Sequence, residues 1–142
     1  MKREIKFRGW DIIENKMREV RDICFDQHGG MDVYFDCDGI NDRGKSADIL
    51  IQFTGLHDKN GKEIYDQDIF QYQQTSKLIT KDFKGYVCSQ DGAFGYKIVD
   101  DDYNVFTPFC EFDEPEEFFE QIEIIGNCFA NPEFLKEQHE NK

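Results

Sequence analysis

Two short patterns of carboxylates are the first places in this 142-residue chain where chemistry could reside. Asp66 and Asp68 alternate, as do Asp100 and Asp102, so either pair could project from one side of extended chain. Paired carboxylates hold a divalent ion or share acid–base work when they converge in a cleft that shifts their pKa values. On turns they are ordinarily solvated, which leaves a divalent-metal hydrolase using Asp66 and Asp68 as an alternative rather than the leading reading. Asp58-x-Asn60-Gly61 followed by Glu63 contains part of a calcium loop. An EF-hand needs further oxygen ligands in a twelve-residue frame and flanking helices, whereas β-type sequence flanks this segment. Asp58, Asn60 and Gly61 are therefore read as a structural turn. His28, His57 and His139 lack metal-ligand spacing, and the chain contains no nucleophile elbow, P-loop, dinucleotide fingerprint or H-E-x-x-H motif. No catalytic residue, metal or cofactor is expected.

Seventeen basic against 30 acidic side chains give a net charge of −13, a field that repels phosphate backbones. Nucleic acid is accordingly a disfavoured partner. Lys2, Arg3, Lys6 and Arg8 sit close together, and strand alternation would place Lys6 and Arg8 on one face with Trp10 next along it. A DNA binder, or an acidic DNA mimic, is kept as a second alternative. The five cysteines, at 24, 37, 88, 110 and 128, form no C-x-x-C pair, and their odd count at wide spacing suggests reduced thiols. The N-terminal Met-Lys-Arg-Glu-Ile has no apolar leader, and no run approaches the ~20 apolar residues that span a bilayer. These features point to the cytoplasm of a host cell and away from a membrane.

The elements that must position these residues are mostly strands. Residues 4–11 and 17–25 read as an opening hairpin around Glu14-Asn15-Lys16, broken after it by His28-Gly29-Gly30. Met31, Val33, Phe35 and Cys37 then alternate with Asp32, Tyr34, Asp36 and Asp38, the pattern of a strand with one solvated face. Gly39–Asp48 is loop-like, and residues 48–54 return to strand. The segment Gln52–Ile69 encodes strand, turn, strand, turn, strand, with Asn60-Gly61 the strongest short hairpin signal. After Tyr72, the polar residues 73–84 read as a long hairpin tip. Asp91-Gly92 joins two more strands, and Pro108 confines any strand over 103–110 to an edge. Glu114-Pro115-Glu116-Glu117 starts a short helix, Gln121–Phe129 is the last strand, and Asn131 caps a tail helix from Pro132 to about Glu137. Short strands with turn signals every ~8–12 residues predict a mostly β fold, an antiparallel sandwich or small barrel with one or two short C-terminal helices. The whole of 1–142 reads as a single domain. The loop at 39–48 suggests an N-terminal lobe over 1–40 packed on a β core over 48–130.

The chain also resembles a known family in three islands. These are Ile5-Lys6-Phe7-Arg8-Gly9-Trp10-Asp11 followed by Lys16-Met17; Phe53-Thr54-Gly55-Leu56-x-Asp58-x-Asn60-Gly61-Lys62-x-Ile64-Tyr65-x-x-Asp68-Ile69; and Glu123-Ile124-Ile125-Gly126-Asn127 followed by Asn131-Pro132-Glu133. In order and spacing they are similar to the YopX family of phage and prophage proteins, over nearly the whole length. Gly9 stands where the family usually has Ala, and Gln67 where Gly is common. The resemblance implies a β-rich fold, an origin in a mobile element and no established biochemical activity.

The remaining signal is aromatic. Fourteen Phe and 6 Tyr are more than a β domain of this size needs for its core. Phe106, Phe109, Phe112 and Phe118 crowd one acidic stretch, and an aromatic patch rimmed by carboxylates marks a surface for binding protein. The expected function is that of a phage or prophage accessory protein, a non-catalytic β-domain that binds an unidentified protein partner or assembles with itself.

Overall fold

The computed structural model describes residues 4–35, 49–75, 80–99 and 102–135. Gly39–Asp48 lies outside them, as do Asp36, Cys37, Asp38, Asp100 and His139. Among the described residues, ten strands form two antiparallel five-stranded sheets. They are β1 (Phe7–Asp11), β2 (Lys16–Phe25), β3 (Met31–Phe35), β4 (Ile49–His57), β5 (Glu63–Tyr65), β6 (Asp68–Thr75), β7 (Thr80–Gln90), β8 (Ala93–Ile98), β9 (Thr107–Pro108) and β10 (Ile122–Asn127). The first sheet runs β3-β2-β1-β4-β5 and the second β10-β6-β7-β8-β9. Among the described residues neither sheet closes into a barrel. One short helix, α1 (Pro115–Phe119), precedes β10. By contact the chain divides into two compact units, Met1–Phe53 and Thr54–Lys142, with the division inside β4.

Turn chemistry explains most of the hairpins. Asp91 and Gly92 both adopt positive φ, 53° and 82°, the two-residue turn whose twist matches the strands it joins. Asn60-Gly61 does not form such a turn, because Gly61 alone takes positive φ, at 80°. Asp58 accepts the Gly61 N–H on its carbonyl at 3.0 Å and donates its own N–H to the Lys62 carbonyl at 2.9 Å. The loop is therefore a three-residue one with glycine in the left-handed position. Its reason is the Asp58 carboxylate, whose Oδ1 accepts from the Asn60 and Lys62 N–H groups at 2.8 and 2.9 Å. Asp26 between β2 and β3 does the same. Its Oδ1 accepts from His28 and Gly30 at 2.8 and 2.7 Å, and Gly29 takes φ of 86°. Both loops share the spacing Asp-x-x-Gly.

Residues 73–75 and 80–84 prove to be strand. β6 and β7 stay paired through Gln73↔Asp82, Gln74↔Lys81 and Thr75↔Thr80. Polar composition suggested a loop, but a ladder needs only backbone groups, and Gln and Thr are compatible with an exposed strand. In the tail, Pro132–Leu135 is a 3-10 turn, and the residues beyond it lie outside those described. Asn131 Oδ1 accepts the Asn127 N–H at 3.3 Å, against Gly126, where a side chain would collide with it.

The second unit carries an aromatic core. Ile64, Phe70, Tyr72, Val87, Phe109, Phe118, Phe119, Ile122 and Ile124 are buried together. Phe118 is its hub, with ring centroids of Phe112, Tyr96, Tyr72, Phe119, Phe70 and Phe109 between 4.8 and 6.1 Å away. α1 forms where expected, with Pro115 supplying the preset φ of a first turn and Phe118-Phe119 anchoring the helix in the core. Gly85 lets the ring of Phe70 lie against the β7 backbone.

Among the described residues of the first unit, Trp10, Val33, Phe35, Ile51 and Phe53 are buried, while Ile12, Ile13, Phe25 and Met31 are exposed. Asp11 is buried at the β1–β2 turn, accepting from the Ile13 and Glu14 N–H groups and, at 2.9 Å, from Arg18 Nε.

Candidate functional site

α1 and the loop before it create the candidate site. The segment 111–120 carries Glu111, Asp113, Glu114, Glu116, Glu117 and Glu120 with no Lys or Arg among them. Phe118 and Phe119 turn inward and Phe112 is half-buried, which leaves the carboxylates outside. Beside them runs a groove of about 710 Å³ lined by Tyr72, Gln74, Phe112, Asp113, Glu114, Glu117, Phe118, Glu120 and Gln121. Phe118 stacks between Tyr72 at 5.3 Å and Phe112 at 4.8 Å, with interplanar angles of 25° and 29°. The groove therefore has an aromatic floor and an acidic rim.

Like charges crowd the rim. A hydrogen bond with Glu114, then the charges of Glu114 and Glu120, raise the pKa of Glu117. Burial, then the Glu117 carboxylate, pushes the Tyr72 phenol up as well. Among the described residues, no basic side chain lines this groove.

The four phenylalanines separate. Phe109, Phe112 and Phe118 come together, with Phe109 6.1 Å from Phe118 and 6.5 Å from Phe112. Phe109 and Phe118 belong to the core, only 6% and 9% exposed, whereas Phe112 is half-buried. Phe106 packs over the backbone of Gly95 instead. Tyr72 and the Glu114–Glu117–Glu120 rim were not singled out by sequence. The Phe-dense acidic run signalled the rim, but nothing local placed Tyr72 beside it.

The carboxylates with recognisable spacing turn out to organise backbone. Asp58, 6% exposed, uses its Oδ2 to accept the Ile124 N–H of β10 at 2.9 Å, in addition to the two turn bonds on Oδ1. Asp68, 1% exposed, accepts the Tyr65 N–H at 2.8 Å. Asp66 is half-buried, and burial raises its pKa. Among the described residues, no group of three or more His, Cys, Asp or Glu side chains could hold a metal ion. Burial, then Asp68 and Asp66, pushes the Cys128 thiol up to about 12, which makes it a poor nucleophile.

At the N-terminal strand, Lys6 pairs with Glu4 at 2.9 Å and lies over the Phe53 ring, while Trp10 is 5% exposed. A buried Trp10 offers no face for a base to stack on.

Comparison with known proteins agrees with the fold. The YopX protein family model matches residues 6–136. The crystal structure of protein EF1440 from Enterococcus faecalis is similar, with a TM-score of 0.64 and 26% identity. The likeness covers 95% of this chain and 100% of that one. No curated protein matches significantly. No helix among the described residues is long and apolar enough to cross a membrane.

Proposed function

The chain belongs to the YopX protein family, and from that premise we propose that it is a phage or prophage accessory protein acting without catalysis, by binding another protein. The observation that carries this reading is the groove beside α1, with Tyr72, Phe112 and Phe118 beneath a carboxylate rim. Aromatic rings give large contact area at low entropic cost, and a polar rim around an apolar centre is the usual anatomy of a recognition surface. Of the Asp66–Asp68 pair that would serve a metal hydrolase, Asp68 is committed to the Tyr65 N–H.

The test is affinity capture from induced, prophage-bearing cells with tagged wild-type protein and Phe112→Ser, read by mass spectrometry. A stoichiometric protein, or a second copy of the chain, should come down with the wild type and be lost with the variant. Equal capture by both, or recovery of the wild-type bait alone as a monomer, would sink the reading. A melting curve of Phe112→Ser separates lost binding from lost fold.

A further inference from the structure

The groove also constrains what its occupant is made of. Its floor is aromatic, its rim carries Asp113, Glu114, Glu117 and Glu120, and no basic residue among those described lines it. The rim carboxylates lie close enough to raise the proton affinity of Glu117, so each added negative charge is unfavourable there and each positive one favourable. A cation is attracted twice at such a place, by the carboxylates and by the negative faces of the rings. A second copy of this chain fits poorly, because it brings the same −13. A phosphate-bearing ligand is opposed by the same charges.

Resting on the protein-binding reading above, we propose that the groove takes an arginine-bearing basic segment of a partner protein, one guanidinium seated against Phe112 between Glu114 and Glu117. Arginine suits the site better than lysine. Its planar head stacks on rings and bonds carboxylates in a fork, whereas an ammonium is a strongly hydrated point charge. At about 710 Å³ the groove has room for more than one side chain, so a short segment rather than a free amino acid fills it. The surrounding negative field would steer such a segment toward the site.

The experiment is an NMR titration of the isotope-labelled full chain with an arginine hexapeptide and its lysine counterpart. Amide shifts should concentrate on residues 112–121 and on Tyr72, with the arginine peptide binding severalfold tighter. Glu114→Gln with Glu117→Gln should weaken it about tenfold, each exposed carboxylate being worth a few-fold. Asp91→Asn with Asp102→Asn, which removes the same charge at exposed positions outside the groove, should change affinity less than twofold. Equal weakening by both pairs would reduce the effect to net charge and overturn the proposal. So would shifts spread over the whole acidic surface, equal affinity for both peptides, or no binding. If peptide binding fails while cellular capture still depends on Phe112, the arginine assignment falls and the protein-binding reading stands. If both fail, the site itself is refuted.

Discussion

The β2–β3 and β4–β5 hairpins are built by one device and put to different uses. In each, an aspartate accepts two backbone N–H groups on Oδ1, and a glycine three residues on takes a left-handed φ. At Asp26 the device ends there, on an exposed loop. At Asp58 the second carboxylate oxygen is turned inward to the Ile124 N–H, and the neighbouring Lys59 N–H reaches the Ile122 carbonyl at 3.1 Å. The same four-residue spacing therefore makes a free-standing turn in one unit and a clamp on a distant strand in the other. Local sequence writes the turn, and burial of the second oxygen decides how much depends on it.

Substitutions can separate the two roles, and urea denaturation reads both. The single tryptophan, Trp10, reports on the first unit by fluorescence, and near-ultraviolet circular dichroism of the aromatic core reports on the second. Asp58→Ala should cost the second unit about 3–5 kcal/mol, since it orphans three N–H groups around a buried site. A loss under 1 kcal/mol would show that the clamp contributes little. Gly61→Ala and Gly29→Ala should each cost about 1–2 kcal/mol, because nothing crowds either position and the penalty is that of a left-handed backbone alone. Clearly unequal losses would mean that the loops differ in more than the clamp. Asp26→Ala, lacking any clamp to break, should cost only about 1 kcal/mol, in the range of a lost helix cap.

How much of this was readable beforehand follows from range. Asp91-Gly92, Pro108 at a sheet edge and Pro115 at the start of α1 were legible because each states its geometry within two or three residues. The Asp58–Ile124 bond joins residues 66 apart, and no local pattern announces it. Asn60-Gly61 promised a tighter turn than the one formed, since the Asp58 side chain captured the backbone first. The partition of the phenylalanines was equally hidden: Phe109 and Phe118 became core only because α1 folds onto β6 and β8 residues Tyr72 and Tyr96. Phe112 and the rim kept the part of the aromatic signal that faces outward.

Gln67 offers a smaller test of the same logic. It holds φ of 70°, a left-handed backbone that favours glycine. Gln67→Gly should raise stability by about 0.5–1 kcal/mol, the relief of left-handed strain less the extra backbone entropy and a weak bond to Asp66. A loss would show that the side chain matters more than the strain. Asp66 contributes a pH dependence. Burial raises its folded pKa above the unfolded one, so the folded state holds this proton more tightly. Its contribution is therefore fully present below the unfolded pKa and lost as pH rises through the folded one. Asp66→Asn should flatten stability across that acidic window, as urea titrations at several pH values would show.

Buried aspartates hold backbone in this molecule, and the proposed function leaves Glu114 and Glu117 for a partner. The most direct measurement applies both readouts to one variant, Glu114→Gln with Glu117→Gln: a melting curve, and capture of the cellular partner. An unchanged or raised melting temperature with capture lost is the expected result. A lowered melting temperature with capture intact would make these glutamates structural and contradict the account.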